Sequence, residues 1–299
     1  MDVVVVGSIN RDLTLRLPRL PTPGETVLGS GRFSDNGGKG ANQAVAAARL
    51  GSRVALIGML GDDLVAVELL DALRADGIDV AGVGTASGTP SGMAVIGLDD
   101  GGENMIMVDP AANGSLTADH VAGFGDLLAS AAVVLAQLEV PLAAVTAVTR
   151  WVRGRFVLNP APAAPLPPDL LERVSVLVPN ATELGILSGS APPSSPEEAI
   201  SLAGRLQGPG AVVVTLGGSG AVMVEGGRGR HFPAPAITAV DPTGAGDAFC
   251  GGLADALAGD ASLTEAVSWA VRCGAAAAMA EGARSSLPTR DRVEAMEEP

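Results

Sequence analysis

Val3-Val4-Val5-Val6-Gly7 opens the chain with four β-branched residues and a glycine that stops them. A run without polar alternation suits a strand buried on both faces, as in a parallel sheet lying under helices. Similar apolar runs recur at Val54-Ala55-Leu56-Ile57 and at residues 132–135, 155–158, 174–178 and 211–214. Helix-like stretches separate most of them. Residues 41–50 end at Gly51, which suits a C′ position, and residues 64–75 end near Gly77. Residues 142–151 and 197–206 continue the alternation. Strands alternating with helices predict an α/β fold with a mainly parallel central sheet flanked by helices. Residues 1–299 are read as one such domain.

Two regions break the pattern. Residues 11–36 alternate around Leu13, Leu15 and Leu17 and then pass through Pro21-Thr22-Pro23-Gly24. Residues 91–108 read as a hairpin turning at Asp99-Asp100-Gly101-Gly102. Antiparallel insertions of this kind commonly form a lid or an interface, and both are expected to join in one small sheet over the site. The alternative is that they decorate an edge of the main sheet.

Composition narrows the function. With 47% hydrophobic residues but 2% aromatics and no tyrosine, the core must be built from Val, Leu, Ile and Ala. A formal net charge of -14 with no basic patch argues against a nucleic-acid partner. It leaves ATP open, because a nest of backbone N–H groups holds phosphate inside an acidic protein. The two cysteines, Cys250 and Cys273, have no metal-ligand spacing and read as buried free thiols. The start has no signal-peptide pattern and no apolar span would cross a bilayer, so a cytoplasmic protein is expected.

Asp241-Pro242-Thr243-Gly244-Ala245-Gly246-Asp247 runs into the apolar stretch Ala248-Phe249-Cys250-Gly251-Gly252. Unpaired N–H groups at a helix start attract anions, and a carboxylate beside them could remove a proton while a phosphoryl group is held. An aspartate there also has an ordinary use as an N-cap. A second glycine-rich helix start, Gly37-Gly38-Lys39-Gly40-Ala41-Asn42-Gln43, tips the balance toward chemistry. It is neither a Walker A sequence nor a dinucleotide fingerprint. Its glycines admit a ligand to the backbone, and Lys39 and Asn42 add donors suited to a polyol. Asn10 and Asp12, just past the first strand, and Glu139, after a later one, lie where ligands of open α/β sheets bind. Each of these could also be a loop-capping polar residue.

In order along the chain come Gly7-Ser8-Ile9-Asn10-Arg11-Asp12, Pro21-Thr22-Pro23-Gly24-Glu25-Thr26, Gly37-Gly38-Lys39-Gly40-Ala41-Asn42-Gln43-Ala44 and Asn159-Pro160-Ala161-Pro162-Ala163. Pro179-Asn180-Ala181-Thr182-Glu183, Thr215-Leu216-Gly217 and the heptapeptide follow. Together they resemble the ribokinase branch of the PfkB carbohydrate-kinase family over nearly the whole length. The resemblance implies a Rossmann-type three-layer fold with a small β lid. It implies Asp247 as general base and Gly244, Ala245 and Gly246 as an anion hole. Asn10, Asp12, Gly38, Lys39, Gly40, Asn42 and Glu139 would bind ribose. Asn180 and Glu183 would organise Mg2+ through water. Asn180, Thr215, Gly217, Gly218, Gly220, Gly246 and Val271 would line the ATP site. A monovalent cation, expected as K+, would take Asp241, Thr243, Ala277, Ala280, Gly282 and Ser286. Two departures stand out: Pro242 where Thr is more usual, which removes a backbone donor, and Asn36 where many relatives are more apolar.

The reaction implied is transfer of the γ-phosphoryl group of Mg·ATP to the 5-hydroxyl of D-ribose. An ordinary carboxylate pKa suffices for Asp247 if proton transfer is late, and no large shift is called for. A homodimer through the lid is expected, with no nucleic-acid or membrane partner. The rival readings are a family kinase for another sugar or a nucleoside, and a sugar-binding protein without catalysis.

Overall fold

The four valines of β1 (Val3–Val6) are fully buried and divide between two cores. Val3 and Val5 pack on one face of the sheet and Val4 and Val6 on the other, as the period-2 geometry of a strand requires. The structure, a computed structural model, describes residues 1–296. The strands are β2 (Asn10–Leu17), β3 (Gly31–Gly37), β4 (Val54–Gly61), β5 (Asp79–Ala86), β6 (Gly92–Asp99), β7 (Asn104–Asp109), β8 (Val133–Ala136), β9 (Arg155–Leu158), β10 (Val176–Leu177), β11 (Ala211–Thr215), β12 (Ala221–Glu225) and β13 (Arg228–Phe232). The helices are α1 (Lys39–Arg49), α2 (Leu64–Ala75), α3 (Ala118–Ala122), α4 (Gly125–Ser130), α5 (Leu142–Val148), α6 (Pro168–Leu171), α7 (Ala181–Ser188), α8 (Pro196–Ala203), α9 (Ala245–Ala258), α10 (Leu263–Ala278) and α11 (Arg290–Glu294).

The main sheet has nine strands in the order β13-β12-β11-β10-β9-β8-β1-β4-β5. All pairings are parallel except those of β12 and β13. Side chains of α1, α2, α9 and α10 fill the core with Val3 and Val5, and those of α3 to α6 fill the core with Val4 and Val6. The expected mainly parallel, helix-flanked sheet is what forms. The chain proceeds from β1 to β4 on one side and later to β8 on the other, so strand order reverses between β1 and β8, where such sheets open a crevice.

Several bounds differ from the sequence reading. The 174–178 run yields only two paired residues, Val176 and Leu177. Helix α5 stops at Val148, and residues 149–152 follow in turns bonded to residues 146–148. Helix α8 starts at Pro196 behind the Ser195 cap and ends at Ala203. The hairpin of β12 and β13 is an addition; it turns at Gly226 (φ 56°) and Gly227 (φ 77°), a two-residue turn that needs positive φ twice.

Residues 11–36 and 91–108 do join in one sheet, of order β3-β2-β6-β7. It is mixed rather than antiparallel, because its central pair β2 and β6 is parallel, from Asn10↔Gly92 to Leu17↔Asp99. The cause is topological. β1 and β5 are parallel strands of the main sheet, so the segments leaving their carboxyl ends set out in one direction. Among the described residues no helix is long and apolar enough to cross a membrane.

Candidate active site

Gly244 (φ 79°) starts α9 with no side-chain cap, and Gly38 (φ 87°) starts α1 in the same way. Both helices begin near the carboxyl edge of the sheet and pack against each other. Gly251 makes the close approach possible, since a Cβ there would meet the Ala46 side chain and the backbone of Gln43 and Ala47. The approach lets two side chains of α1 reach Asp247. Asn42 Nδ2 donates to Asp247 Oδ2 at 3.1 Å, and Gln43 Nε2 donates to Asp247 Oδ1 at 2.9 Å. Asp247 is the third residue of α9, and its carboxylate is spent on these amides rather than on capping. The N-cap alternative is therefore not what this aspartate does.

The N–H groups of Gly246 and Asp247 have no hydrogen-bond partner among the described residues, and nothing lies within 4 Å of where a Gly246 Cβ would be. Open N–H groups at a helix start favour negative charge. Asp247 keeps part of its surface open. Burial raises its pKa above the ordinary carboxylate value, against the opposing pull of the Lys39 ammonium and the Gln43 and Asn42 amides. A raised pKa fits a group that must accept a proton.

Across the crevice, Ser8 Oγ, past β1, donates to Glu139 Oε2, past β8, at 2.6 Å. Lys39 N donates to the same oxygen at 3.1 Å, and Lys39 Nζ lies 3.9 Å from Glu139 Oε1. Burial draws the Lys39 pKa down, but Asp247 and Glu139 outweigh it and hold it above its usual value. Asp12 lies opposite Asp35 in the β2–β3 ladder. Its pKa is pushed up to about 7, first by burial and then by Glu139 and Asp35, with Arg284 opposing. Asp12 Oδ1 and Asn42 Oδ1 are buried acceptors without a partner. Asn10 Oδ1 accepts from Asn113 Nδ2 at 2.7 Å, while Asn113 Oδ1 accepts from Ile9 N and its Nδ2 also donates to Ile9 O.

The structure thus brings Asn10, Asp12, Gly38, Lys39, Gly40, Asn42, Glu139 and Asp247 to one crevice. Asn180 and Glu183 form a reciprocal capping box on α7, and Asn180 bridges Thr215 at the end of β11. Burial raises the Glu183 pKa, opposed by the Asn180 N–H. Gly217, Gly218 and Gly220 follow in a short 3-10 turn. Val271 is buried on α10 in the same core as Val213 and Ala221. Asp241 accepts from Thr243 N and Gly282 N, each at 2.9 Å, and Ser286 Oγ reaches Thr243 O at 3.4 Å. Ala277 O takes Ala280 N at 3.1 Å nearby.

Three participants escape a reading of the sequence. Asn113 ties the start of β2 in place. Gln43 stands inside a quoted motif but carries no role there. Arg284 is 4% exposed, with all three guanidinium nitrogens lacking a hydrogen-bond partner, beside the acidic pair of Asp12 and Asp35. Only long-range packing reveals them.

A pfkB family carbohydrate kinase model matches residues 1–290. The chain belongs to the pfkB family of carbohydrate kinases. It is 36% identical over 303 residues to the ribokinase of Schizosaccharomyces pombe, covering 97% of this chain and 95% of that one. It superposes on Thermotoga maritima ribokinase with a TM-score of 0.87 at 32% identity, covering 98% of both chains. The ribokinase of Arabidopsis thaliana complexed with ribose and ATP gives 0.88 at 30% identity, covering 98% of this chain and 97% of that one.

Family membership makes the chain a phosphotransferase with an alcohol acceptor, and kinases of this kind use a divalent metal with ATP. No cluster of three or more His, Cys, Asp or Glu suited to a metal exists among the described residues.

Proposed function

We propose that this chain transfers the γ-phosphoryl group of ATP to the 5-hydroxyl of D-ribose, giving D-ribose 5-phosphate. The carrying observation is the Asp247 carboxylate, fixed by Asn42 and Gln43 beside the open N–H groups of α9. Ribose would lie between Asp247 and the partnerless oxygens of Asp12 and Asn42, which match its vicinal hydroxyls. Asn10, Gly38, Lys39, Gly40 and Glu139 would complete the sugar site.

Phosphoryl transfer depends mostly on positioning and charge stabilisation. Asp247 would accept the 5-hydroxyl proton as the oxygen attacks in line. Gly244 and Gly246 would meet the growing negative charge with backbone N–H groups, whereas the Ala245 N–H, expected to join them, is donated to the Pro242 carbonyl at 3.1 Å. The nucleotide would run along Thr215, Gly217, Gly218 and Gly220 toward Val271, with Asn180 and Glu183 reaching the metal through water. Mg2+ would neutralise phosphate charge when bound. The carboxylate and carbonyl oxygens of Asp241, Thr243, Ala277, Ala280, Gly282 and Ser286 are of the hard type that suits a monovalent cation, read as K+. The small sheet would act as a lid that excludes water. Its Met105, Ile106, Met107 and Val108 are 43–56% exposed and would meet a second copy in a homodimer. ATP supply and the buried free thiols fit work in the cytoplasm.

A coupled ADP-release assay with Mg2+ and K+ across D-ribose, deoxyribose, ketohexoses and nucleosides tests the reading. D-ribose is expected to give the highest kcat/KM. Faster turnover of a nucleoside or another sugar would reassign the substrate. Ribose binding by calorimetry with no product would mark a binding protein.

A further inference from the structure

Behind Asp247 lies a chain of amides that crosses three strands of the main sheet. Asn159, just past β9, donates through Nδ2 to the Val178 carbonyl at 2.8 Å. That carbonyl only accepts, so the Asn159 oxygen must face the other way, toward Gln43. Gln43 Nε2 donates to Asn159 Oδ1 at 3.1 Å and to Asp247 Oδ1 at 2.9 Å. The Gln43 oxygen is thereby turned toward Gln137, past β8, whose Nε2 donates to it at 2.5 Å. Each amide orientation is forced by the one before it, back to a backbone carbonyl. The chain leaves one remainder: Gln137 Oε1 is buried without a partner. Gln43 and Gln137 are fully buried, and a Cβ at Gly7 would collide with Gln137 Oε1. The glycine that closes β1 therefore makes room for the end of the chain.

Asn42 also bonds Asp247, but its own oxygen is without a partner, so its amide is tied at the Asp247 end only. Gln43 is held at both ends. We infer that Gln43, locked by Gln137 and Asn159, is the positioning residue that aims the Asp247 carboxylate at the acceptor alcohol. This rests on Asp247 being the base. Unlike Asn42, Gln43 would hold Asp247 at the same angle whether or not the crevice is filled. The charged and titratable groups around Asp247 are Lys39 on α1, Glu139 beyond β8, Asp12 on β2 and Cys250 one turn along α9.

Gln43→Met keeps the length of the side chain and removes the bonds. A hydrogen bond to a charged group is worth about tenfold to a hundredfold in an equilibrium, and kcat is expected to fall by that factor. KM for ribose and ATP should stay within about threefold, because the direct ligands are untouched. Loss of a donor that favours the ionised carboxylate should also move the acid limb of the kcat–pH profile to higher pH, which a merely structural residue would not do. Gln137→Met leaves Gln43 bonded to Asp247 but unlocks its far end; a smaller fall of about threefold to tenfold with the same direction of limb shift is expected. If Gln43→Met does not fold, Gln137→Met alone decides. Unchanged kcat and an unmoved limb in a folded variant would overturn the inference. Asp247→Asn separates the two readings: if it is inactive while Gln43→Met behaves as wild type, only the positioning role fails. If Asp247→Asn is active, the base assignment itself fails.

Discussion

Helices α1 and α9 begin on the same signal, a positive-φ glycine without a side-chain cap, yet their first turns are used differently. At α1, Glu139 takes the Lys39 N–H, Ser8 Oγ takes that of Gly40 at 3.3 Å and the Ser8 carbonyl takes that of Ala41 at 2.9 Å. The start of α1 is filled by the protein's own oxygens and holds two polar side chains at the crevice. At α9, the Gly246 and Asp247 N–H groups are left open. Glycine at a helix start therefore signals access, and it takes the neighbouring strands to decide who uses it. Where a helix only needs an end, as at α8 and α10, a serine closes it.

Substitutions at each helix start in turn put this contrast at risk. The largest effect belongs to Asp247→Asn, which should lower kcat by about 10²–10⁴ while ribose and ATP still bind by calorimetry. Near-normal turnover would remove the base from α9. Gly244→Ala comes next. Its φ of 79° disfavours any Cβ, and one there would press on the Ala283 carbonyl. It should cost about 1–2 kcal/mol of stability in denaturant titrations and about 10²–10³ in kcat as the anion-facing amides shift. A loss confined to stability would mean that α9's amides meet no developing charge.

Glu139→Gln probes α1. It removes the charge that organises Ser8 and Lys39, and should raise ribose KM about tenfold, the worth of a charged hydrogen bond, with kcat changed little. A kcat effect as large as that of Gly244→Ala would erase the distinction between α1 and α9. The smallest effect concerns pH. With its carboxyl lifted to about 7, Asp12 is protonated below that pH and ionised above it. Only the ionised form accepts two hydroxyl protons, so ribose KM should fall about threefold to tenfold between about pH 6 and pH 8, and Asp12→Asn should flatten the profile. The linked effect on stability has the opposite sign. The folded state binds this proton more tightly than the unfolded chain, whose value is 3.8, so this contribution is full below about pH 4 and lost as pH rises to about 7.

Much of this is legible in the sequence because it is local. The valine run of β1, the unbroken helix 64–75 and the glycines that start α1 and α9 state their geometry within a few residues. Pairing partners do not. Nothing in residues 10–17 says that β2 will lie parallel to β6, since that follows from where β1 and β5 end. The run that holds β10 reads too long because Val174, Val176, Leu177 and Val178 look alike whether or not all are paired. At the site, Asp247, Asn42 and Asp12 announce themselves by motif. Arg284, Asn113 and Gln137 do not, because each matters only through contacts with residues remote in sequence.

The parallel pairing of β2 with β6 means that the small sheet is held at one end only. Asn10, Gly37 and Gly92 align at that root, where Asn113 stitches β2 down, and the sheet projects outward like a cantilever. At about 3.3 Å per residue β2 reaches roughly 26 Å, so a tilt of about 5° at the root swings its far end about 2 Å while moving Asn10 and Asp12 by only a fraction of that. Leverage of this kind lets the overhang sweep widely without disturbing the atoms nearest Asp247.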